Sequence, residues 1–104
     1  MGYYTYYTLQ IIKGNGELIK EFRNQNDSAQ YAIDEYGNSN TQTKWYSSER
    51  DLIDFSLNHP DTLFKLSGEG EDSGDIWDLY VQNGKTQFCK AQIVIPPFDP
   101  TKLK

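Results

Sequence analysis

A chain of 104 residues, 37% apolar and 14% aromatic, is long enough for one domain with a single core, and no apolar run reaches membrane-span length. A net charge of −5 disfavours non-specific attraction to nucleic-acid backbones or anionic lipid, so neither is expected as a partner. One cysteine permits no internal disulfide, and a Tyr-rich start without a basic region or cleavage site adds to the expectation of a cytoplasmic protein.

Tyr3–Lys13 (YYTYYTLQIIK) is rich in aromatic and β-branched residues and predicts a strand. Tyr3, Thr5, Tyr7, Leu9 and Ile11 form its more apolar face, which is expected to meet the helices. The clustered tyrosines could suggest a stacking platform for single-stranded nucleic acid, but such platforms need a cationic groove and this chain is acidic. A central strand using Tyr as bulk fits better. Gly14-Asn15-Gly16 reads as a turn; it lacks the Lys-Ser/Thr of a phosphate-binding loop and the third glycine of a dinucleotide fingerprint.

Leu18, Ile19 and Phe22 fall on one stripe of a helix over Glu17–Asn24. After Gln25-Asn26-Asp27, Asp27 is expected to cap a further helical face made by Ala29, Ala32, Ile33 and Tyr36, with Gln30 completing a capping box and Gly37 at the C-terminal cap. Residues 17–36 are thus one kinked helix or two short ones. The stretch Thr41–Tyr46 predicts a short edge strand. Ser48, with Asp51 three residues on, predicts the cap of a helix that contributes Leu52, Ile53, Phe55 and Leu57 and stops near Asn58 ahead of Pro60.

Thr62–Ser67 reads as a strand with Phe64 and Leu66 inward, followed by a solvated loop Gly68–Gly74. Asn83-Gly84 between two alternating runs marks a tight hairpin. A two-residue loop would pair Gln82 with Lys85 and set Trp77 opposite Lys90. A three-residue loop Gln82-Asn83-Gly84 instead collects Trp77, Leu79, Val81, Cys89, Ala91, Ile93 and Ile95 on one face, and side-chain parity favours it. Pairing should end at Pro96-Pro97, leaving residues 96–104 as an extended tail pinned by Phe98. The expected architecture is a single α+β domain over residues 1–104. It is a two-layer sandwich with a mainly antiparallel sheet of four or five strands, two or three helices on one face, and the order β-α(α)-β-α-β-β-β.

No catalytic, metal or nucleotide motif stands out. Glu69, Glu71, Asp72, Asp75 and Asp78 supply oxygen ligands of the kind hard cations take, but their spacing departs from the EF-hand pattern, so no metal and no cofactor are expected. Cys89, placed in the core by the favoured register, is an inert small hydrophobe, and His59 is a lone histidine at a helix end without a partner residue. Asn26-Asp27-Ser28 matches a glycosylation pattern that is uninformative without a signal peptide. Surface remains: Ile76, Tyr80, Phe88 and Val94, amid Asp78, Lys90 and Gln92, are expected on the outer sheet face as an apolar patch rimmed by charge.

The Tyr-rich opening MGYYTYYTL, the run KWYSSERDL at Lys44–Leu52, the stretch FKLSGEGEDSGDIW at Phe64–Trp77 and the NGK at Asn83–Lys85 resemble small uncharacterised proteins encoded in phage, prophage and bacterial mobile genomes. The resemblance spans nearly the whole chain and implies no activity and no catalytic residues. It implies an accessory protein that binds a host or phage protein, including inhibitors that imitate nucleic-acid charge, although −5 over this length is a weak field for mimicry. The expectation is a non-enzymatic protein-binding module, with possible self-association, whose contacts are Glu69, Glu71, Asp72, Asp75, Asp78, Tyr80 and Phe88. The rival is a small metal-dependent or hydrolytic enzyme using the Glu69–Asp78 carboxylates.

Overall fold

The alternating stretches pair with one another, and the helical ones lie across a single side of the sheet they make. The computed structural model describes residues 4–72, 74–91 and 97–103. Strand β1 (Thr5–Lys13) is followed by helices α1 (Leu18–Gln25), α2 (Asp27–Ala32) and α3 (Ser48–Ser56), then by the meander β2 (Leu63–Gly70), β3 (Ile76–Gln82) and β4 (Lys85–Lys90). The sheet is antiparallel throughout, in the order β1-β2-β3-β4, so the chain is α+β with helices packed against an open four-stranded sheet. Strand β1 is therefore an edge strand and not the central one.

Register sets the core. Leu9, Leu66 and Leu79 lie in one cross-strand row, and Ile11, Phe64 and Val81 in the next. All but Ile11 are buried, and onto them pack Ile19, Phe22, Ala29, Ala32, Ile33, Trp45, Leu52 and Phe55. The aromatic contacts run continuously through the layer: Phe22 meets Trp45 at 5.8 Å and Phe55 at 5.0 Å between ring centres, and Phe55 meets Phe64 at 5.8 Å. Each such buried side chain contributes about 1.5–3 kcal/mol relative to exposure.

The segment between β1 and α3 departs from expectation at its caps, at the end of its second helix and over Thr41–Tyr46. Residues 17–36 form two helices, because Asn26 takes extended backbone (φ −140°, ψ 112°) and its side chain accepts the Ala29 amide at 2.9 Å. Asn26, not Asp27, is thus the cap of α2. Helix α2 stops at Ala32. Ile33 turns extended to keep its side chain buried, and Asp34 Oδ1 accepts the amides of Tyr36 and Asn38, both at 2.9 Å. That turn throws Tyr36 out, 70% exposed. Gly37 caps no helix; it sits against the Leu9 carbonyl, where a Cβ would collide, and its own carbonyl accepts the Leu9 amide at 2.8 Å.

The edge strand expected over Thr41–Tyr46 reduces to one bridge, Thr5 with Thr43. A longer ladder is prevented because Trp45 turns inward and its carbonyl accepts the Tyr7 hydroxyl at 3.0 Å. Helix α3 has Ser47, one residue before the expected Ser48, at its N-cap position without a side-chain capping bond, and Ser48 is buried in the first turn. Its last turn closes at Ser56, whose hydroxyl donates to the Ile53 carbonyl at 2.7 Å, so Leu57 lies beyond the helix and is exposed.

The hairpin register is the main correction. Gln82 pairs with Lys85, and Asn83 (φ 49°) and Gly84 (φ 76°) form a two-residue turn of the primed type that suits strand twist. Trp77 then lies opposite Lys90 and Asp78 opposite Cys89, so tryptophan and cysteine point to opposite sides of the ribbon. Parity misleads here because β4 is exposed or half-exposed on both sides and so has no core face to define its register. Ser56 helps to fix the observed turn: its Oγ accepts the Gly84 amide at 2.9 Å.

Strand β2 also runs further than expected. Gly68, Glu69 and Gly70 pair with Tyr7, Tyr6 and Thr5, and the loop shrinks to the residues after Gly70. Pro100–Lys102 form a 3-10 turn in the tail, and Phe98 is 76% exposed, so it pins nothing. Tyr3, Ser73 and the expected strand continuation through Gln92, Ile93, Val94, Ile95 and Pro96 lie outside the described residues.

Candidate functional site

The side of the sheet away from the helices carries no second layer among the described residues. Its side chains form three full rows across the strands. Tyr6, Glu69 and Ile76 make the first, and Ala91 joins it by donating its amide to the Ile76 carbonyl at 2.8 Å. Thr8, Ser67, Asp78 and Cys89 make the second; Gln10, Lys65, Tyr80 and Gln87 make the third. Beyond a one-residue register shift after Ile11, Lys13 pairs with Leu63, and Gln82 with Lys85.

The rows differ in chemistry. The middle is polar and tied together: Ser67 Oγ donates to Asp78 Oδ1 at 2.7 Å, and Lys65 Nζ lies 3.7 Å from Asp78 Oδ2. Apolar side chains flank it, with Tyr6 at 45%, Ile76 at 48% and Ile12 at 49% exposure. A shallow groove of about 410 Å³ runs between Tyr6 and Ile76 over the small Thr8 and Ser67, with Ser39 and Asn40 also lining it.

The acidic residues divide. Glu69 projects from β2 between Tyr6 and Ile76 and is exposed. Glu71 Oε1 accepts the Tyr4 amide at 3.1 Å, across the start of the sheet. Asp72 and Asp75 close the loop through their backbone, Asp75 donating to the Asp72 carbonyl at 3.1 Å and accepting from Gly70 at 2.8 Å. Asp78 belongs to the polar middle. Among the described residues, no three His, Cys, Asp or Glu side chains converge as a metal-ligand set.

Tyr80 lies on the open face, half-buried between Lys65 and Gln87. Phe88 does not join it. The two-residue turn puts Phe88 on the helix side, 58% exposed and tilted against Trp77 at 5.8 Å, where the helices do not reach. Lys90 moves with it, and Cys89 moves the other way, half-exposed on the open face. The missing members of the face are Tyr6, Thr8 and Ser67. The period of two in each strand separates them from the core, but only the pairing of β1 with β2 brings them beside Ile76.

A second concavity lies between α1 and α3, floored by Phe22 and Phe55 and rimmed by Asn26, Asp51 and Asp54. Its volume of about 230 Å³ falls below the range of about 300–1,000 Å³ usual for small-molecule sites. Asp51 is occupied by structural work: its Oδ2 accepts from Trp45 Nε1 at 2.7 Å, Asn26 Nδ2 at 2.9 Å and Ser47 Oγ at 3.0 Å. That carboxylate ties both helix caps to the buried indole. No described helix is long and apolar enough to cross a membrane.

Compared with protein-family models, curated proteins and solved structures, the chain matches none of them.

Proposed function

We propose that this protein is a non-enzymatic, cytoplasmic protein-binding module that uses the open sheet face and the acidic end beside it as its contact surface. The observation that carries this reading is the composition of that face. Tyr6, Ile12 and Ile76 remain nearly half exposed, while the polar groups between them bind one another instead of reaching for a ligand. Apolar and aromatic residues around a satisfied polar centre, rimmed by charge, are the make-up of protein contact surfaces. The resemblance to phage and mobile-genome proteins read from the sequence favours an accessory role. Phe88 drops out of the contact set; Glu69, Glu71, Asp72, Asp75, Asp78 and Tyr80 stay, joined by Tyr6 and Ile76.

The test is capture by the immobilised full chain from a bacterial lysate. Tyr6→Ser combined with Ile76→Ser should abolish specific capture while leaving the melting transition in place. Tyr31→Ser, on an exposed helical position, should not affect it. Equal capture by all three proteins would refute the reading.

A further inference from the structure

Charge is distributed unevenly along the open face, and the unevenness runs with the strands. At one end stand Glu69 and the loop bearing Glu71, Asp72 and Asp75; at the other stand Lys13 and Lys85, with Lys65 one row in. The exposed apolar groups follow the same division. Tyr6 and Ile76 flank the groove at the acidic end, and Ile12, with the half-buried Leu63 beside it, marks the basic end.

Resting on the reading that this face is a contact surface, we infer that its partner is a second copy of the same chain, packed face to face about a two-fold axis perpendicular to the strands. Such an axis exchanges the ends of the strands. The acidic end of each copy then lies over the basic end of the other, and both contacts are made twice. An axis parallel to the strands would stack like charge on like. In the favoured arrangement the third row of one copy covers the second row of the other, which sets the Tyr80 hydroxyl over the Asp78 carboxylate of the second copy. Ile12 and Leu63 meet the groove between Tyr6 and Ile76. Sheets packed this way sit about 10 Å apart, a distance that long Glu and Lys side chains bridge.

Pairing through the free edge of β4 fits less well. A two-fold antiparallel match keeps each face together, so it sets Lys85 opposite Cys89 or Thr86 opposite Lys90, and neither brings unlike charges together as the face-to-face pair does. Area sets the strength of the face-to-face pair. Four strands at about 4.8 Å and seven or eight residues at about 3.3 Å give a planar footprint of about 500 Å². A standard interface buries about 800 Å² per partner, so the dimer is weak and concentration-dependent.

Sedimentation of the full chain from micromolar to near-millimolar concentration should show the mass rising from 12.0 kDa toward twice that value. Glu69→Lys and Lys13→Glu should each weaken self-association about three- to thirtyfold, since each rim contact occurs twice. The double variant, with the charges exchanged, should recover it. Glu69→Lys is the sharpest arm. It moves the net charge from −5 to −3, so relief of general repulsion would strengthen the dimer where loss of complementarity weakens it. A wild-type mass fixed at 12.0 kDa throughout overturns the proposal. So does a dimer indifferent to both reversals but lost in Phe88→Ser. If the protein stays monomeric while Tyr6→Ser with Ile76→Ser still abolishes capture of another protein, self-pairing falls and the contact-surface reading stands.

Discussion

Trp77 lies across Gly68, its cross-strand partner in β2, so closely that a Cβ at position 68 would overlap the indole ring. Tyr7, the next residue in that row, meets the same indole edge-on at 6.1 Å. Gly68→Ala forces the indole off this seat. Urea unfolding should show a loss of about 1–3 kcal/mol, the usual cost of overpacking, with a change in tryptophan fluorescence.

The Asp51 carboxylate is the acceptor for a buried indole N–H and for the side chains that start α2 and α3. Among the described residues no buried side-chain nitrogen or oxygen lacks a partner, and Asp51→Ala would make Trp45 Nε1 the first. The expected loss is about 1.5–3 kcal/mol. Asp51→Asn keeps one acceptor oxygen and should cost less. Equal losses for the two variants would show that the carboxylate does not hold the indole.

Both residues of the hairpin turn have positive φ, and Gly84 also receives the Leu57 side chain against its Cα. Gly84→Ala should therefore destabilise the protein by about 1–2 kcal/mol, seen as a lower urea midpoint. Asn83→Gly, which suits the same geometry, should be neutral or mildly stabilising.

Burial raises the pKa of Tyr7 above its ordinary 10.0, outweighing the hydrogen bonds from Ser48 and Thr5 that lower it. The folded state holds this proton more tightly than the unfolded chain. Its contribution is therefore complete below pH 10.0 and is lost as pH rises through the raised value. Tyr7→Phe keeps the ring but removes the bond to the Trp45 carbonyl. It should cost about 0.5–1.5 kcal/mol at neutral pH and flatten the alkaline part of a stability–pH curve.

What the chain order reveals by inspection depends on whether a residue has one side against a second layer. Leu9, Phe64 and Leu66, and Ile19, Phe22, Ala29, Leu52 and Phe55 opposite them, follow from periodicity because each sits between helices and sheet. Phe88 and Cys89 do not, because β4 extends past the helices and either parity would leave it wet. Pattern alone places the starts of α2 and α3 one residue late, at Asp27 and Ser48, because Asn26 and Ser47 each adjoin a second residue of capping type. Trp45 could not be placed by pattern at all. Its carbonyl is bound by Tyr7, from a strand far back in the chain, and its indole by Asp51, across the start of α3. The acidic end of the open face was legible as composition. The nearness of Tyr6 to Ile76 required knowing that β1 joins the meander beside β2.

That connection has a kinetic side. β2, β3 and β4 follow one another through short turns, but β1 must wait while the chain travels from Lys13 to Leu63 before it can pair. Closing so long an excursion is entropically costly, which favours assembly of the meander from local contacts before β1 docks. Until Leu66 arrives, contacts within the first half, such as Phe22 with Trp45 and the Leu9 amide with the Gly37 carbonyl, have no sheet to close over them.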